Sequence, residues 1–306
     1  MLRYVVGRGV EAVLVVLGVL LLVFVILQLT GDPARLMLPP EATLEDIERL
    51  RHHMGFDRPL PVQFVRFLGG AVRGDFGSSL RYRDQPALDV VLERLPATFE
   101  LAAATLAWSI PLAFLLGLLS AVRRASLQEG AAMLTALLGQ SMPTFWLGLM
   151  LILVFSVELG WLPSSGRGSL RHVVLPAITL GGFFMARLTR LVRSGLLDVL
   201  GQDYVRTARA KGLGEGTVVA RHALKNAAIP IVTIIGLDIG TILGGAVITE
   251  TVFAWPGVGR LAIDSIAVRD FPVVQADVFI IAVAFVVINL SVDVLYTWLD
   301  PRIRLA

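Results

Sequence analysis

The sequence predicts an all-α membrane protein with six spanning helices and a small helical segment between the first two. Three observations predict it. Hydrophobic residues make up 56% of the 306 and charged ones 17%, and mean hydropathy is +0.76. A soluble domain usually carries about 45–50% apolar and about 25% charged residues. Runs of about 20 weakly charged residues recur along the chain, the length a helix needs to cross hydrocarbon. Lysine and arginine gather in alternate inter-span segments, as the positive-inside rule requires of a multi-pass chain. So apolar a chain is not disordered, and with no cysteine it has neither a disulfide framework nor a cysteine nucleophile.

The first span is Ala12–Leu29, with Gln28 as its strongly polar side chain. Arg3 and Arg8 precede it, as they would a signal peptide. Its apolar run is longer than the ~7–15 residues of a signal h-region and lacks a small-residue cleavage site, so a retained span is expected. Leu101–Val122 and Ala131–Val157 follow without a charge, the latter containing Pro143 and Gly148. His172–Val192 carries Arg187 and Arg190 near its C-terminal end, and Ala228–Thr249 is interrupted by Asp238. Ala276–Leu299 holds Asp277, Asn289 and Asp293. The last two are four apart, on one helix face, and read as packing groups.

With the N-terminus inside, the inner segments hold 14 of the 27 lysines and arginines and the two short outer loops hold four. Both termini are therefore expected inside. The excess of base lies beside the membrane and not on a soluble face, which argues against nucleic acid as a partner.

Domain boundaries follow: 1–29 for the N-terminus and first span, 30–96 for an outer helical segment, and 97–306 for a core of five spans with an inner loop at 193–228. In the outer segment Thr43 and Asp46 form a capping-box pattern opening Leu44–Met54, with Gly55 as its stop. Val62–Phe67 reads as a short helix ending at Gly69-Gly70. Asp84–Leu95 reads as an amphipathic helix leading through Pro96 into the second span. This segment is either a structural lid or a docking and filtering element. His52 and His53 are adjacent and point about 100° apart on a helix, which makes them poor partners for one metal. No metal site is expected.

The inner loop carries both lysines, Lys211 and Lys225. Helical sequence runs from about Ser194 to Lys211, Gly212 and Gly214 break it, and a second stretch runs from Thr217 to Asn226. This is either a basic interfacial loop or a docking hairpin for an inner partner. A phosphate-binding loop needs Gly-x-x-x-x-Gly-Lys-Ser/Thr. Lys211 precedes Gly212 and Lys225 precedes Asn226, so neither completes it. His-Glu-x-x-His and Gly-x-Ser-x-Gly are also missing. No catalytic residue, and no cofactor in this chain, is expected.

Two features lie within the spans. Asp238 is a mid-span carboxylate, costly at roughly 2.5–3.5 kcal/mol on insertion scales unless paired or wetted. It is a hydrogen-bonding partner for a neighbouring helix, a lining group of a translocation route, or a proton site. Gly236, Gly240 and Gly244, with Gly245 beside them, form a small-residue face that allows close helix approach, either within the chain or to a second subunit.

The stretch Arg206-Thr-Ala-Arg-Ala-Lys-Gly212 resembles the coupling-loop motif of ABC importer permeases, and more specifically that of the dipeptide/oligopeptide (peptide/nickel) permease family. Further motifs similar to that family's run along nearly the whole chain in order. They are Leu29-Thr-Gly-Asp-Pro-Ala-Arg35, Phe56-Asp-Arg-Pro-Leu-Pro-Val-Gln63, Leu92-Glu-Arg-Leu-Pro-Ala-Thr98, Gly160-Trp-Leu-Pro163 and Leu175-Pro-Ala-Ile-Thr179. Glu250-Thr-Val-Phe-Ala-Trp-Pro-Gly-Val-Gly-Arg260 and Leu299-Asp-Pro-Arg302 complete them. The general importer motif has Glu-Ala-Ala before its glycine and Leu-Pro after it. Here Arg206-Thr-Ala208 and Leu224-Lys225 stand at those places, departures shared with the peptide-permease subgroup.

The resemblance implies a type I ABC importer permease in a bacterial or archaeal cytoplasmic membrane. It implies half of a pore for di- or oligopeptides, nickel complexes, glutathione or oligosaccharides, paired with a second permease. It implies a partner binding protein outside and two ATPase subunits inside, which hold ATP and magnesium. The residues it assigns to ATPase coupling are Arg206, Thr207, Ala208, Arg209, Lys211, Gly212, Leu213 and Glu215. The competing class is an ion-driven secondary transporter using Asp238, whose usual inverted repeats are not evident.

Overall fold

The structure is a computed structural model that describes residues 2–29, 34–35, 38, 41–82 and 85–299. The motif ending in Arg302, the interior of the motif opening at Leu29, and the side chain of Asp293 lie outside the described part. The helices, in order, are α1 (Leu2–Leu29), α2 (Leu44–Met54), α3 (Leu60–Arg73), α4 (Ala87–Val122), α5 (Leu127–Ser141) and α6 (Thr144–Leu151). Then come α7 (Leu170–Leu200), α8 (Asp203–Ala210), α9 (Leu224–Val252), α10 (Val258–Ala267) and α11 (Phe271–Leu299). Two compact units result, Met1–Thr98 with Pro256–Val287, and Phe99–Trp255 with Ile288–Ala306.

Among the described residues, four helices are long and apolar enough to cross a membrane, at Gly7–Leu29, Ala87–Val122, Leu170–Leu200 and Phe271–Val292. Two bent pairs bring the number to six. One pair covers the third span expected at Ala131–Val157: α5 and the helix from Thr144 to Glu158 meet at 105°. The cause is Pro143, which occupies the N-cap of α6. Proline supplies no N–H to α5 and bars the preceding residue from helical geometry. Met142 accordingly has φ −85° and ψ 126°, in the extended region. Beyond α6 the chain continues as a π-helix, Ile152–Glu158.

In the first unit Thr43 caps α2. Its hydroxyl accepts from the Asp46 N–H, the Asp46 carboxylate accepts from the Thr43 N–H, and Gly55 ends the helix at φ 73°. The capping box read from sequence is thus present, and it holds the Asp46 carboxyl below its usual range through the hydrogen bonds from Thr43. The predicted stop at Gly69-Gly70 is not where α3 ends. The helix continues to Arg73, and Gly74 at φ 75° ends it. Gly70 answers a different need: a Cβ there would lie 2.5 Å from the Asp75 carbonyl oxygen, where the chain folds back. The amphipathic stretch before Pro96 and the second span form a single helix, α4, which begins at Ala87. Phenylalanines hold the unit together. Phe24 packs on Phe64 with ring centres 5.3 Å apart, and Phe76 on Phe279 at 5.2 Å. Gln28 donates to Gln63 at 2.9 Å. Asp270, fully buried, accepts from the Ser79 hydroxyl at 2.5 Å and from the Arg81 N–H at 3.2 Å.

The second unit is built on α7. Its most apolar stretch is 72% buried, against at most 33% for the other three long spans, and α5, α6 and α9 pack on it. Phe184, Leu188, Val192 and Leu196 recur at helical spacing along it and share a core with Ile231 and Ile242 of α9. At Gly181 a Cβ would fall 2.6 Å from the Trp108 ring. The missing side chain admits the indole, whose N–H donates to the Ala177 carbonyl at 3.0 Å. The turn after α9 buries Phe253 and Trp255, the aromatic pair of the Glu250–Arg260 motif.

Candidate functional site: the loop between α7 and α9 and the charges beneath it

The loop carries one short helix, not the two-helix hairpin expected from sequence. Helix α7 runs on to Leu200 and breaks at Gly201, and α8 takes up Asp203–Ala210. The second predicted stretch does not stand alone. A single turn at Glu215–Thr217 leads through a π-helix, Val218–Ala223, directly into α9.

Within α8, Val205 and Ala208 are buried with Val218, and Val199 and Leu200 pack on them. Three-residue spacing puts 205 and 208 on one face. Of the eight residues assigned to coupling, Ala208 therefore faces its own chain, at 6% exposure, while the other seven are exposed. Arg206 reaches Asp203 at 3.4 Å, a surface pair of little energetic weight. The Thr207 hydroxyl donates back to the Asp203 carbonyl at 2.9 Å. Lys211 closes the helix, its N–H donating to Thr207 at 3.0 Å.

Gly212 has φ 77°, left-handed backbone that suits glycine and reverses the chain. The reversal presents Leu213, an apolar side chain 39% exposed, at the tip. Arg209 then clamps the turn: Nε donates to one Glu215 oxygen at 3.0 Å and Nη2 to the other at 2.5 Å. This bidentate fork holds the Glu215 carboxyl below its ordinary range and raises Arg209 above its own. Asn226 ties the far side by donating to the Tyr204 hydroxyl at 2.9 Å. Sequence reasoning passed over Tyr204 and Asn226; their 22-residue separation gave no local signal.

Asp238 sits beneath the loop on α9. Its side chain is 5% exposed and accepts from Arg187 Nη1 at 2.7 Å. Of the three roles open at sequence level, pairing with a neighbouring helix is the one this geometry provides. Arg187 was noted only as a span-end charge, and its pairing is tertiary. A second cross-helix pair links Arg193 of α7 to Glu129 of α5. The glycine face divides: a Cβ on Gly236 would meet Val292 at 2.3 Å, Gly240 is buried, and Gly244 is open. At Gly236 the close approach is thus within the chain. Among the described residues no cluster of three His, Cys, Asp or Glu side chains could hold a metal.

The loop thus rests on a buried valine–alanine seat and carries an apolar tip with base around it. Residues 93–305 match the model of the binding-protein-dependent transport system inner membrane component, and residues 1–102 match that of its N-terminal region. The chain belongs to this family. It is a multi-pass inner-membrane permease of an ABC importer, a transport component. The assignment supports the ABC class over the ion-driven one.

Among its relatives, the permease is 45% identical over 306 residues to the glutathione transport system permease protein GsiC of Escherichia coli (strain K12), covering 99% of each chain. The same figures hold for the protein of that name from Shigella dysenteriae serotype 1 (strain Sd197). Two of the solved structures that share the fold illustrate it. One is an amino acid ABC transporter with histidines, at TM-score 0.52 and 17% identity over 70% of this chain and 94% of that one. The other is the MetNI methionine ABC transporter in an inward-facing conformation, at TM-score 0.51 and 19% identity over 69% and 94%.

Proposed function

We propose that this permease forms half of an ATP-driven import pore for small peptides, with glutathione as the first candidate cargo. The observation that carries the substrate class is the end-to-end similarity to chains called glutathione transport system permeases. A second permease completes the pore, an external binding protein delivers the cargo, and two inner ATPases hold ATP and magnesium. Both termini lie inside, as the basic residues of the inner segments favour.

The coupling element is the α8 loop. ATP binding draws the two ATPases together, and each carries the Leu213 tip that rests in it. Because Val205, Ala208 and Val218 seat α8 against the end of α7 and the segment leading into α9, displacement of the tip moves those spans. The permease contributes different contacts in its two global states and does no chemistry. Exposed Arg206, Thr207, Lys211 and Gly212 border the tip and would line the contact.

The test is reconstitution of the permease with its neighbouring transport subunits in proteoliposomes. Glutathione uptake and glutathione-stimulated ATP hydrolysis are measured together. Leu213→Asp and Gly212→Pro should abolish both while the complex still melts cooperatively. If either variant transports normally, the loop is not the coupling element. Uptake driven by a proton gradient without ATP would overturn the ABC mechanism, and indifference to glutathione would overturn the cargo.

A further inference from the structure

Arg187, Arg190 and Arg193 follow one another at three-residue steps on α7 and so share one side of that helix. With Met133, Ser194 and Ile234 they line an open cleft of about 540 Å³ within the second unit. Two of the three guanidiniums have counter-ions, Arg187 on Asp238 and Arg193 on Glu129. Arg190 is exposed to the cleft and has no ionic partner among the described residues. The cleft therefore carries one uncompensated positive charge between two pairs that hold its neighbours in place.

An arginine at the level of a membrane span is costly to leave without an anion or water. Its planar fork matches an oxyanion better than an ammonium would. Basic clefts between spans suit anionic headgroups by the same electrostatics. Met133 and Ile234 add an apolar wall that an inorganic ion would not need.

We propose that this cleft is an anion site in which Arg190 is the principal ligand. It takes the carboxylate or phosphate of an amphiphilic small molecule, and Arg187 and Arg193 shape the field on either side. Two sources share this chemistry: the carboxylates of a peptide in passage, and the headgroup of an anionic phospholipid. The site stands on the geometry of this unit, and only its peptide source rests on the proposed cargo.

The experiment is native mass spectrometry of the full chain in an uncharged detergent, titrated separately with four probes. These are phosphatidylglycerol, phosphatidylcholine, glutathione and glutathione diethyl ester. At least one anionic probe should bind, with its neutral counterpart weaker by tenfold or more. Arg190→Gln should weaken the anionic adduct at least tenfold, and Arg190→Lys, which restores the charge without the fork, should recover only part of it. Retention of phosphatidylglycerol assigns the site to the headgroup, and retention of glutathione assigns it to the cargo. Undiminished binding by Arg190→Gln, equal binding of neutral probes, or no anionic adduct overturns the proposal. Should the glutamine variant fail to fold, the wild-type adduct must still weaken as salt rises; a salt-independent adduct also overturns it. Because transport is not read here, failure of the import mechanism shows only in the uptake assay.

Discussion

Alanine at Gly236 and alanine at Gly244 should have opposite consequences, although both glycines lie on α9 two turns apart. A Cβ at Gly236 would stand 2.3 and 2.7 Å from the two γ-carbons of Val292, and one at Gly244 would meet nothing within 4 Å. Van der Waals contact between carbons lies near 3.5–4.0 Å, so Val292 must retreat by about 1 Å or more. It has little freedom to do so, being β-branched with restricted χ1. Overpacking of this kind costs about 1–3 kcal/mol. Each substitution also gains about 1 kcal/mol of helix propensity. That gain is common to both, so the difference between the variants isolates the clash at about 1–3 kcal/mol. Thermal melts of the purified chain, at about 2–4 °C per kcal/mol for a chain of this order of size, resolve it. Gly236→Ala should melt several degrees below Gly244→Ala, and Val292→Ala added to the former should recover part of the gap. Equal melting temperatures, or no recovery in the double variant, would refute the internal-packing assignment of Gly236.

Two further outcomes follow from the charged groups. Arg187→Gln should destabilise by about 1–3 kcal/mol, less than a fully buried pair would lose because Arg187 is 43% exposed, since it strands the carboxylate of Asp238. Arg187→Gln with Asp238→Asn should be milder than the single change, and purely additive melts would show that the two do not interact. The Arg209–Glu215 clamp should depend on pH in one direction. Glu215 titrates below its ordinary 4.5 because Arg209 hydrogen-bonds it, so the clamp is complete above that value. It loosens as pH falls through the lower, folded-state value. Hydrogen exchange across 209–216 should accelerate on acidification in the wild type and be fast throughout in Glu215→Gln; protection that persists in the variant would refute the clamp.

Local signals were legible where the physics is local. Thr43, Asp46 and Gly55 cap and end one helix within thirteen residues, and the structure repeats what their spacing states. The glycine pair 69–70 was misread because glycine serves two needs. Gly74 relieves the backbone where the chain turns, whereas Gly70 admits the returning Asp75 carbonyl, and sequence does not distinguish them. Pro96 and Pro143 show the same ambiguity. The first is carried inside α4 and the second turns the chain by 105°. Neighbouring packing decides how the freed backbone groups are satisfied. The Arg187–Asp238 pair spans 51 residues, and each member alone read only as an expensive charge.

The coupling motif shows how far pattern alone reaches. As a string, Arg206-Thr-Ala-Arg-Ala-Lys-Gly212 treats its residues as equivalent. With Val205 just ahead of it, helical periodicity sorts them: 205 and 208 fall on one side, and 206 and 207 fall on the other. The structure buries the first set on Val218 and exposes the second. Ala208 is therefore small because α8 must lie close to the segment leading into α9, and a larger side chain there would lift the helix off its seat. Motion of the tip would reach the spans through that seat and through the Asn226–Tyr204 tie. A loop that merely satisfied the charge rule would need base on its surface and no such packing. The buried valine–alanine contact, more than the lysines and arginines around it, is what makes this loop a candidate lever.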